Sequence, residues 1–402
     1  MIIKATTLYD GFTKNKNLFI KIEDNKIVDI FKSKKSKYDF EGVVTPAFID
    51  AHNHIGMFRE GEPSSESEGN EQLSQFQILN DPINSIYTDD ESFKNAVDFG
   101  VLYSCVVPGS GNLIGGKAKI IRNFSKNIKD IEIKDYGYKM ALGFNPRSTT
   151  SWRGERPNTR MGAYALLEKK FDEILKKEKD AKLKYEKSLY ELNKKNISQK
   201  EKKIEKDFIK KEYELTFSKE DREFLKLLKG EKIAKVHVHK IDDIIYLINL
   251  KKRYNLRVTA EHTIDVNDIE IFNLLRKNDI DIIYGPIGSL GYKTELKNYS
   301  YKNVKSLIKS NANFALMTDH PVINIHNLRD LLKYFLIQGM DEVEALKLIT
   351  INSAKILKIE NILGSIEVGK WASLLVWNKD PYYLGAFPKV VIGEGEILKN
   401  EI

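Results

Sequence analysis

Eight short apolar runs recur through the middle of the chain, and most are separated by segments whose apolar residues lie three and four apart. A short run between turn residues is typical of a buried strand, and the spacing of three and four is typical of a helix. Strands that alternate with helices favour a parallel sheet, and eight is the strand number of the α/β fold called the (β/α)8 TIM barrel. The expected strands are 43–51, 102–108, 118–122, 137–142, 233–238, 257–261, 281–284 and 314–318.

The two ends of the chain depart from this alternation. They carry short β-like runs at 2–8, 17–22, 26–31, 373–377 and 390–398. Runs of this length beside turn residues are typical of a small sheet. We therefore expect a small β-sandwich domain formed by both termini, residues 1–45 together with 364–402, beside a barrel over 46–363.

A charged segment at 169–235 interrupts the barrel pattern. It has almost no Gly or Pro and is dense in Lys and Glu, a composition typical of solvated helices. Its 22 Lys and Arg against 15 Asp and Glu account for +7 of the formal net charge of +8, which leaves 43 basic and 42 acidic residues elsewhere. We expect a helical insert at 169–232, a hairpin that breaks near 193–198. Since the rest of the chain is nearly neutral, the charge argues against a nucleic-acid partner.

The sequence shows no sign of a membrane span or an export signal. No stretch approaches the roughly 18 consecutive apolar residues that a transmembrane helix needs, and the N-terminus lacks a basic region followed by an apolar one. Cys105 lies in an apolar run and is expected to be a buried thiol. We therefore expect a soluble, cytoplasmic protein, and the composition leaves a homo-oligomer open.

Histidine pairs follow two of the expected strands. His52 and His54 come after the first strand, and His237 and His239 end the fifth. Residues two apart on a strand point to the same side, so each pair presents two imidazoles to one place, as a metal site requires. The alternative is a pair of strand histidines that simply face solvent.

Further polar residues follow the later strands. His262 ends the sixth expected strand and Asp319 follows the eighth. Six of the seven histidines thus fall at the carboxyl ends of strands, where barrels of this kind assemble active sites. Only His326 lies elsewhere. Histidines scattered through a core would not share one end of a sheet, so we expect a metal site there.

This arrangement resembles the amidohydrolase superfamily, in particular its imidazolonepropionase-related members. The signature at the end of that family's first strand stands here as Pro-Ala-Phe-Ile-Asp-Ala-His-Asn-His at 46–54. Further matching segments are 108–116, 159–162, 285–286, the helix 344–357 with 350–355, and the turn 364–370. The resemblance covers the chain except the charged insert, and it implies a metal-dependent hydrolase.

The resemblance also implies which residues hold the metal. They are His52, His54, His237, His262 and Asp319. His239 would then contact the substrate or the ligands, and Lys139 would be a carboxylated lysine that bridges two ions. A position of Lys139 in solvent, at the end of its strand, is equally open.

Two residues depart from the family's pattern. Phe144 stands in a Gly-Phe-Asn-Pro run where relatives have glutamate, which favours one ion over two if that glutamate is a ligand. Lys240 stands three residues after His237, where an imidazolonepropionase would have glutamate. That difference argues against this particular activity.

The ligand types indicate the chemistry. Nitrogen and carboxylate ligands without a thiolate suit one or two Zn²⁺ ions, with Mn²⁺ or Fe²⁺ as alternatives. Bound zinc lowers the pKa of its water from about 15.7 to about 7 and so supplies a metal-activated hydroxide. Asp319 is the expected proton shuttle to the leaving nitrogen, and His262 or His239 would stabilise the oxyanion. The expected reaction is hydrolysis of a C–N bond in a small molecule, by ring opening of a cyclic amide, related amide hydrolysis or deamination.

A second interpretation is a barrel that has lost catalysis and serves as a binding or scaffold protein through its basic insert. The complete set of histidines and Asp319 argues against this loss, whereas Phe144 leaves room for it.

Overall fold

The computed structural model describes residues 1–402 except 34, 60, 150, 151, 153, 155, 290 and 292, and describes the backbone alone at 64. The strands are β1 (Ile2–Tyr9), β2 (Lys14–Glu23), β3 (Lys26–Phe31), β4 (Phe40–Pro46), β5 (Phe48–Asn53), β6 (Val101–Val106), β7 (Ile114–Arg122), β8 (Glu132–Ala141), β9 (Ile233–Val238), β10 (Arg257–His262), β11 (Asp281–Tyr284), β12 (Phe314–Leu316), β13 (Leu374–Trp377), β14 (Pro388–Gly393) and β15 (Glu396–Asn400). The α-helices are α1 (Glu91–Asp98), α2 (Arg160–Lys194), α3 (Gln199–Leu215), α4 (Lys219–Leu228), α5 (Ile241–Tyr254), α6 (Ile269–Lys277), α7 (Val304–Lys309), α8 (Lys333–Ile337), α9 (Glu342–Lys347) and α10 (Ile351–Leu357).

One eight-stranded sheet runs in the order β12-β11-β10-β9-β8-β7-β6-β5. Each expected strand has a counterpart in it, although the expected 43–51 divides at Ala47 into β4, which joins another sheet, and β5. Two main-chain hydrogen bonds link the edges of the sheet. His54 N–H donates to the carbonyl of His320 (3.0 Å), and Asp319 N–H donates to that of His52 (3.2 Å). These bonds bring the two edges together, so the sheet forms a nearly closed barrel.

The barrel is not parallel throughout, as a strict (β/α)8 pattern requires. β7 is antiparallel to both β6 and β8, whereas the other paired neighbours are parallel. The connections 107–113 and 123–131 contain no helix and are shorter than the dozen or more residues that a parallel crossover needs. They permit only hairpins, so the expectation of alternating strands and helices is wrong for β6, β7 and β8.

Strands from both chain ends form a second, seven-stranded sheet, in the order β15-β14-β13-β4-β1-β2-β3. The sheet curls back on itself, because Ile27 N–H donates to the carbonyl of Lys370 (3.0 Å) and Ala372 N–H to that of Asn25 (2.8 Å). Many of its buried apolar side chains form a small cluster of their own, whereas Tyr9, Leu375, Trp377 and Val391 belong to the main core. The small sheet therefore packs around its own cluster and also against the main core.

The charged segment is helical, but its first helix begins before 169. α2 starts at Arg160, where the Thr159 side chain accepts a hydrogen bond from Gly162 N–H. The chain breaks at 195–198 and returns along α2 as α3, with Tyr185 and Tyr213 in ring contact. α4 packs into the main core, whereas α3 has no buried residue. Even α2 carries too many charges to cross a bilayer, and no described helix is long and apolar enough to do so.

Candidate metal centre

The first group of the site joins the end of β5, β8 and the segment that follows β12. Asp319 Oδ1 lies 3.2 Å from His54 Nε2 and 3.5 Å from His52 Nε2. Lys139 Nζ lies 2.9 Å from His52 Nε2. All of these side chains except Asp319 are buried, so the alternatives in which His52 and His54, or Lys139, face solvent are excluded.

The second group joins β9 and β10. His237, His239 and His262 each offer a ring nitrogen, and these nitrogens lie within 4.8 Å of one another. His262 is shared, since it also forms a compact group with His52 and Asp319. The structure thus brings together every residue that the sequence analysis assigned to the metal, and places His239 as near to His262 as a ligand would be.

Hydrogen bonds on the far side orient three of the imidazoles. His54 Nδ1–H donates to the carbonyl of Val107 (2.7 Å), and His262 Nδ1–H donates to that of Gly285 (3.0 Å). His52 Nδ1–H donates to Glu261 Oε2 (2.6 Å). A ring that donates from Nδ1 keeps a free lone pair on Nε2, which is the arrangement of a metal-ligating histidine.

Burial sets the protonation of the histidines. It holds the pKa values of His52, His237, His239 and His262 well below the usual range, and neighbouring positive charges add to the effect. These imidazoles are therefore neutral at pH 7, the form that binds a metal. Burial also lowers the pKa of Lys139 to about 8, which makes its neutral amine accessible near neutral pH.

The donor atoms fit a metal ion. His262 Nε2, His239 Nδ1 and Asp319 Oδ1 are buried atoms that have no hydrogen-bond partner among the described residues. Leaving such atoms unpaired is costly, and native proteins usually pair them. Two nitrogen donors and a carboxylate oxygen also match the ligands that Zn²⁺ takes.

Backbone conformation at the site is strained. His262 has φ 76° and Asp319 has φ 53°, both in the left-handed region. This conformation costs roughly 1–2 kcal/mol for a residue with a side chain, and such residues cluster at functional sites. The strain is consistent with side chains held in place for binding.

Several contacts were not predicted from the sequence. Glu261 and Lys235 lie fully buried beneath the histidines, with Lys235 Nζ 3.0 Å from Glu261 Oε2. Ser110 Oγ lies 3.0 Å from His237 Nδ1. Glu295, from the loop after β11, places Oε1 3.8 Å from His237 Nε2. Lys235 could have been found, because it lies two residues before His237 and so shares its side of the strand.

The site opens into a cavity of about 220 Å³. Its lining includes His54, Phe58, Asn70, Gly109, Ser110, Asn145, His237, His239, His262, Ile264, Pro286, Ser289, Lys293, Leu296, Asp319, Pro321 and Val322. A space of this size accommodates a small molecule and not a folded partner.

The fold and this site define an α/β barrel with a candidate metal centre at the carboxyl ends of its strands. The model of the amidohydrolase family matches residues 161–398. The chain belongs to the amidohydrolase family.

Individual relatives are more distant. The chain is 23% identical over 380 residues to the amidohydrolase tasK of Hapsidospora irregularis, covering 89% of this chain and 36% of that protein. It is 29% identical over 138 residues to a 5-methylthioadenosine/S-adenosylhomocysteine deaminase of Thermoanaerobacter pseudethanolicus, covering 32% and 30%. The match thus spans about a third of each of these curated relatives. The crystal structure of an amidohydrolase from Thermotoga maritima superposes with a TM-score of 0.86 at 25% identity, over 99% of both chains.

Proposed function

We propose that this protein is a metal-dependent hydrolase that cleaves a C–N bond, in a cyclic amide or a related amide. The observation that carries the proposal is the grouping of imidazole nitrogens with the Asp319 carboxylate at the carboxyl ends of the barrel strands, where buried His262 Nε2 and Asp319 Oδ1 have no hydrogen-bond partner among the described residues. Membership of the amidohydrolase family supports it, as does the similarity to named hydrolases and a deaminase. The imidazolonepropionase-related assignment stays a prediction.

The proposed ligands are His52, His54, His237, His262 and Asp319, with Lys139 as a bridge if two ions bind. When bound, Zn²⁺, or Mn²⁺ or Fe²⁺ in its place, would lower the pKa of water and polarise the substrate. Lys139 supports a two-ion site because its Nζ lies among the donor atoms of the first group and is fully buried.

Asp319 is the proposed proton carrier. Its carboxylate lies between the two groups of histidines, where it can accept a proton from the attacking water and return it to the leaving nitrogen. The C–O bond forms, the C–N bond breaks, and the nitrogen leaves protonated. His239 is better placed than His262 to stabilise the oxyanion, because His262 is shared by both ligand groups.

Substitution of the proton carrier tests this function. The purified protein is analysed for bound metal, loaded with zinc, and assayed against cyclic amides, N-acyl amino acids, dipeptides and amino-heterocycles. We expect Asp319→Asn to retain much of the metal and to lose turnover about 10²- to 10⁴-fold. His52→Ala with His54→Ala is expected to lose the metal, and Lys139→Met to lower the number of bound ions.

His326→Gln is the matched control, because His326 lies outside the site and should leave turnover unchanged. Near-normal turnover of Asp319→Asn would refute its role as proton carrier. A protein that contains no zinc, manganese or iron and takes up none at micromolar concentration would instead favour the scaffold interpretation, with the basic insert as the binding element.

A further inference from the structure

Lys293 brings a positive charge to the wall of the cavity. It lies in the loop after β11, and its side chain is 6% exposed. Among the described lining residues it is the one Lys or Arg; the other basic side chains there are the histidines. It lines the cavity together with His237 and His239, which brings the charge to the same space as these histidines.

A neighbouring carboxylate holds this lysine in the wall. Glu295 Oε1 lies 3.6 Å from Lys293 Nζ, and Glu295 Oε2 accepts a hydrogen bond from Phe144 N–H (2.8 Å). The ion pair therefore fixes the position of the Lys293 ammonium in the wall.

Part of the remaining wall is apolar. Phe58, Ile264, Leu296 and Val322 line the cavity together with two prolines, beside the neutral polar side chains of Asn70, Ser110, Asn145 and Ser289. A wall that combines apolar side chains with one fixed cation suits a ligand that has an apolar part and one anionic group. A lysine in such a place binds a carboxylate through a charge-assisted hydrogen bond.

We propose that the substrate is a small amide that carries one carboxylate group, which Lys293 binds while the apolar part of the molecule packs on Phe58, Ile264, Leu296 and Val322. This inference rests on the proposed function, since it names the substrate class of the same site. For an N-acyl amino acid, water adds across the amide. The acyl carbon gains the oxygen and the nitrogen gains the proton, which releases a carboxylic acid and an amino acid.

Binding of matched ligands tests the assignment. N-acetyl-L-leucine and N-(2-methylpropyl)succinamic acid carry a carboxylate on the amine side and on the acyl side of the amide, respectively. N-acetyl-3-methylbutylamine is the neutral counterpart of the first. Dissociation constants for the zinc-loaded protein are measured by calorimetry with Lys293→Met, and with Lys297→Met as control, because Lys297 is exposed and lies outside the cavity lining.

We expect Lys293→Met to weaken binding of at least one anionic probe about 10- to 100-fold and to leave the neutral probe within about 2-fold, since a hydrogen bond to a charged group is lost. Lys297→Met should change neither. The decisive quantity is the change that Lys293→Met causes in the ratio of the dissociation constants of the anionic and neutral probes, because bound zinc itself attracts anions. Lys293→Gln is the second variant if Lys293→Met fails to fold, and the same change in preference is expected of it.

Three results would overturn the inference: equal loss of anionic and neutral probes, no preference of the unaltered protein for an anionic probe, or no binding of either anionic probe at 10 mM. Equal loss would mean that Lys293 polarises the reacting carbonyl. Failure of the proposed function looks different. The probes would then bind selectively through Lys293, while the metal-loaded protein hydrolyses no amide in the panel.

Discussion

At the scale of single residues, the candidate metal centre contacts a buried ion pair, Glu261 and Lys235, that does not line the cavity. Glu261 Oε2 lies 2.6 Å from His52 Nδ1 and 3.0 Å from Lys235 Nζ, and Glu261 also accepts a hydrogen bond from Thr259. Removing one partner of a buried ion pair is costly, so Lys235 is needed wherever Glu261 is charged. Through Glu261, the pair fixes the ring of His52.

The first prediction concerns this support. Glu261→Gln keeps the size of the side chain but removes the charge that holds the Nδ1 proton of His52, so zinc affinity should fall about 10- to 100-fold. Competition with a fluorescent chelator measures the dissociation constant without reference to activity. Glu270→Gln, at an exposed position of α6, is the matched control and should leave the affinity unchanged. Unaltered zinc affinity in a folded Glu261→Gln variant would contradict the positioning role.

The site residues differ in whether the sequence alone could predict their place in the site. His52, His54, His237 and His239 could be predicted, because alternation along a strand places them on one side. Glu295 could not, since it comes from a loop, and loop residues have no period that fixes their direction.

At the scale of elements, helices α3 and α4 of the charged segment begin with the same kind of cap but differ in how they pack. Ser218 Oγ accepts a hydrogen bond from Asp221 N–H (3.0 Å), and Asp221 accepts one in return from Ser218 N–H (2.8 Å). The same reciprocal cap begins α3 at Ser198 and Glu201. The two helices differ in packing, because α4 buries Phe224 in the main core and α3 buries nothing.

The second prediction compares these caps. Ser218→Ala should lower the free energy of unfolding by about 0.5–2 kcal/mol, the usual cost of a lost cap, because α4 unfolds with the barrel. Ser198→Ala should have a smaller effect, since exposed α3 can fray without exposing the core. Urea denaturation followed by tryptophan fluorescence measures both. Equal losses in the two variants would show that α3 unfolds together with the barrel.

The positions of the strands and helices could largely be predicted from the sequence, whereas the direction of β7 could not. An apolar run such as 118–122 predicts a buried strand whichever way it runs, so β7 was expected in place but parallel. Direction depends on the connections at 107–113 and 123–131, whose length permits only hairpins. The break at 195–198 lies within the predicted 193–198, whereas α2 begins before the charged composition that predicted a helix.

At the scale of the whole molecule, the excess positive charge and the candidate site are separate. The ends of the hairpin lie together, as Lys184 Nζ and Glu212 Oε1 are 2.6 Å apart. Buried side chains of α2 that pack on the barrel, such as Leu167 and Phe171, precede this part of the helix. The distal hairpin, residues 182–212, therefore projects from the barrel.

The third prediction removes the distal hairpin. Replacing residues 182–212 with a short Gly-Ser linker deletes 11 Lys and 6 acidic residues, so the formal charge falls from +8 to +3. We expect unchanged zinc content and turnover, and elution from a cation exchanger at lower salt, because exposed charges act through screened attraction. Loss of zinc in a folded variant would show that the hairpin supports the site.

Closure of the barrel through His52 and Asp319 has a consequence for biosynthesis. The two residues belong to the first strand of the barrel and to the segment that follows its last strand, and their main chains are hydrogen-bonded. A nascent chain that has left the ribosome only as far as β11 already presents His52, His54, His237 and His262, but has no carboxylate to complete the set. On the proposed ligand set, metal capture is therefore expected late in translation, and an unfinished chain is expected to bind the ion more weakly than the finished one.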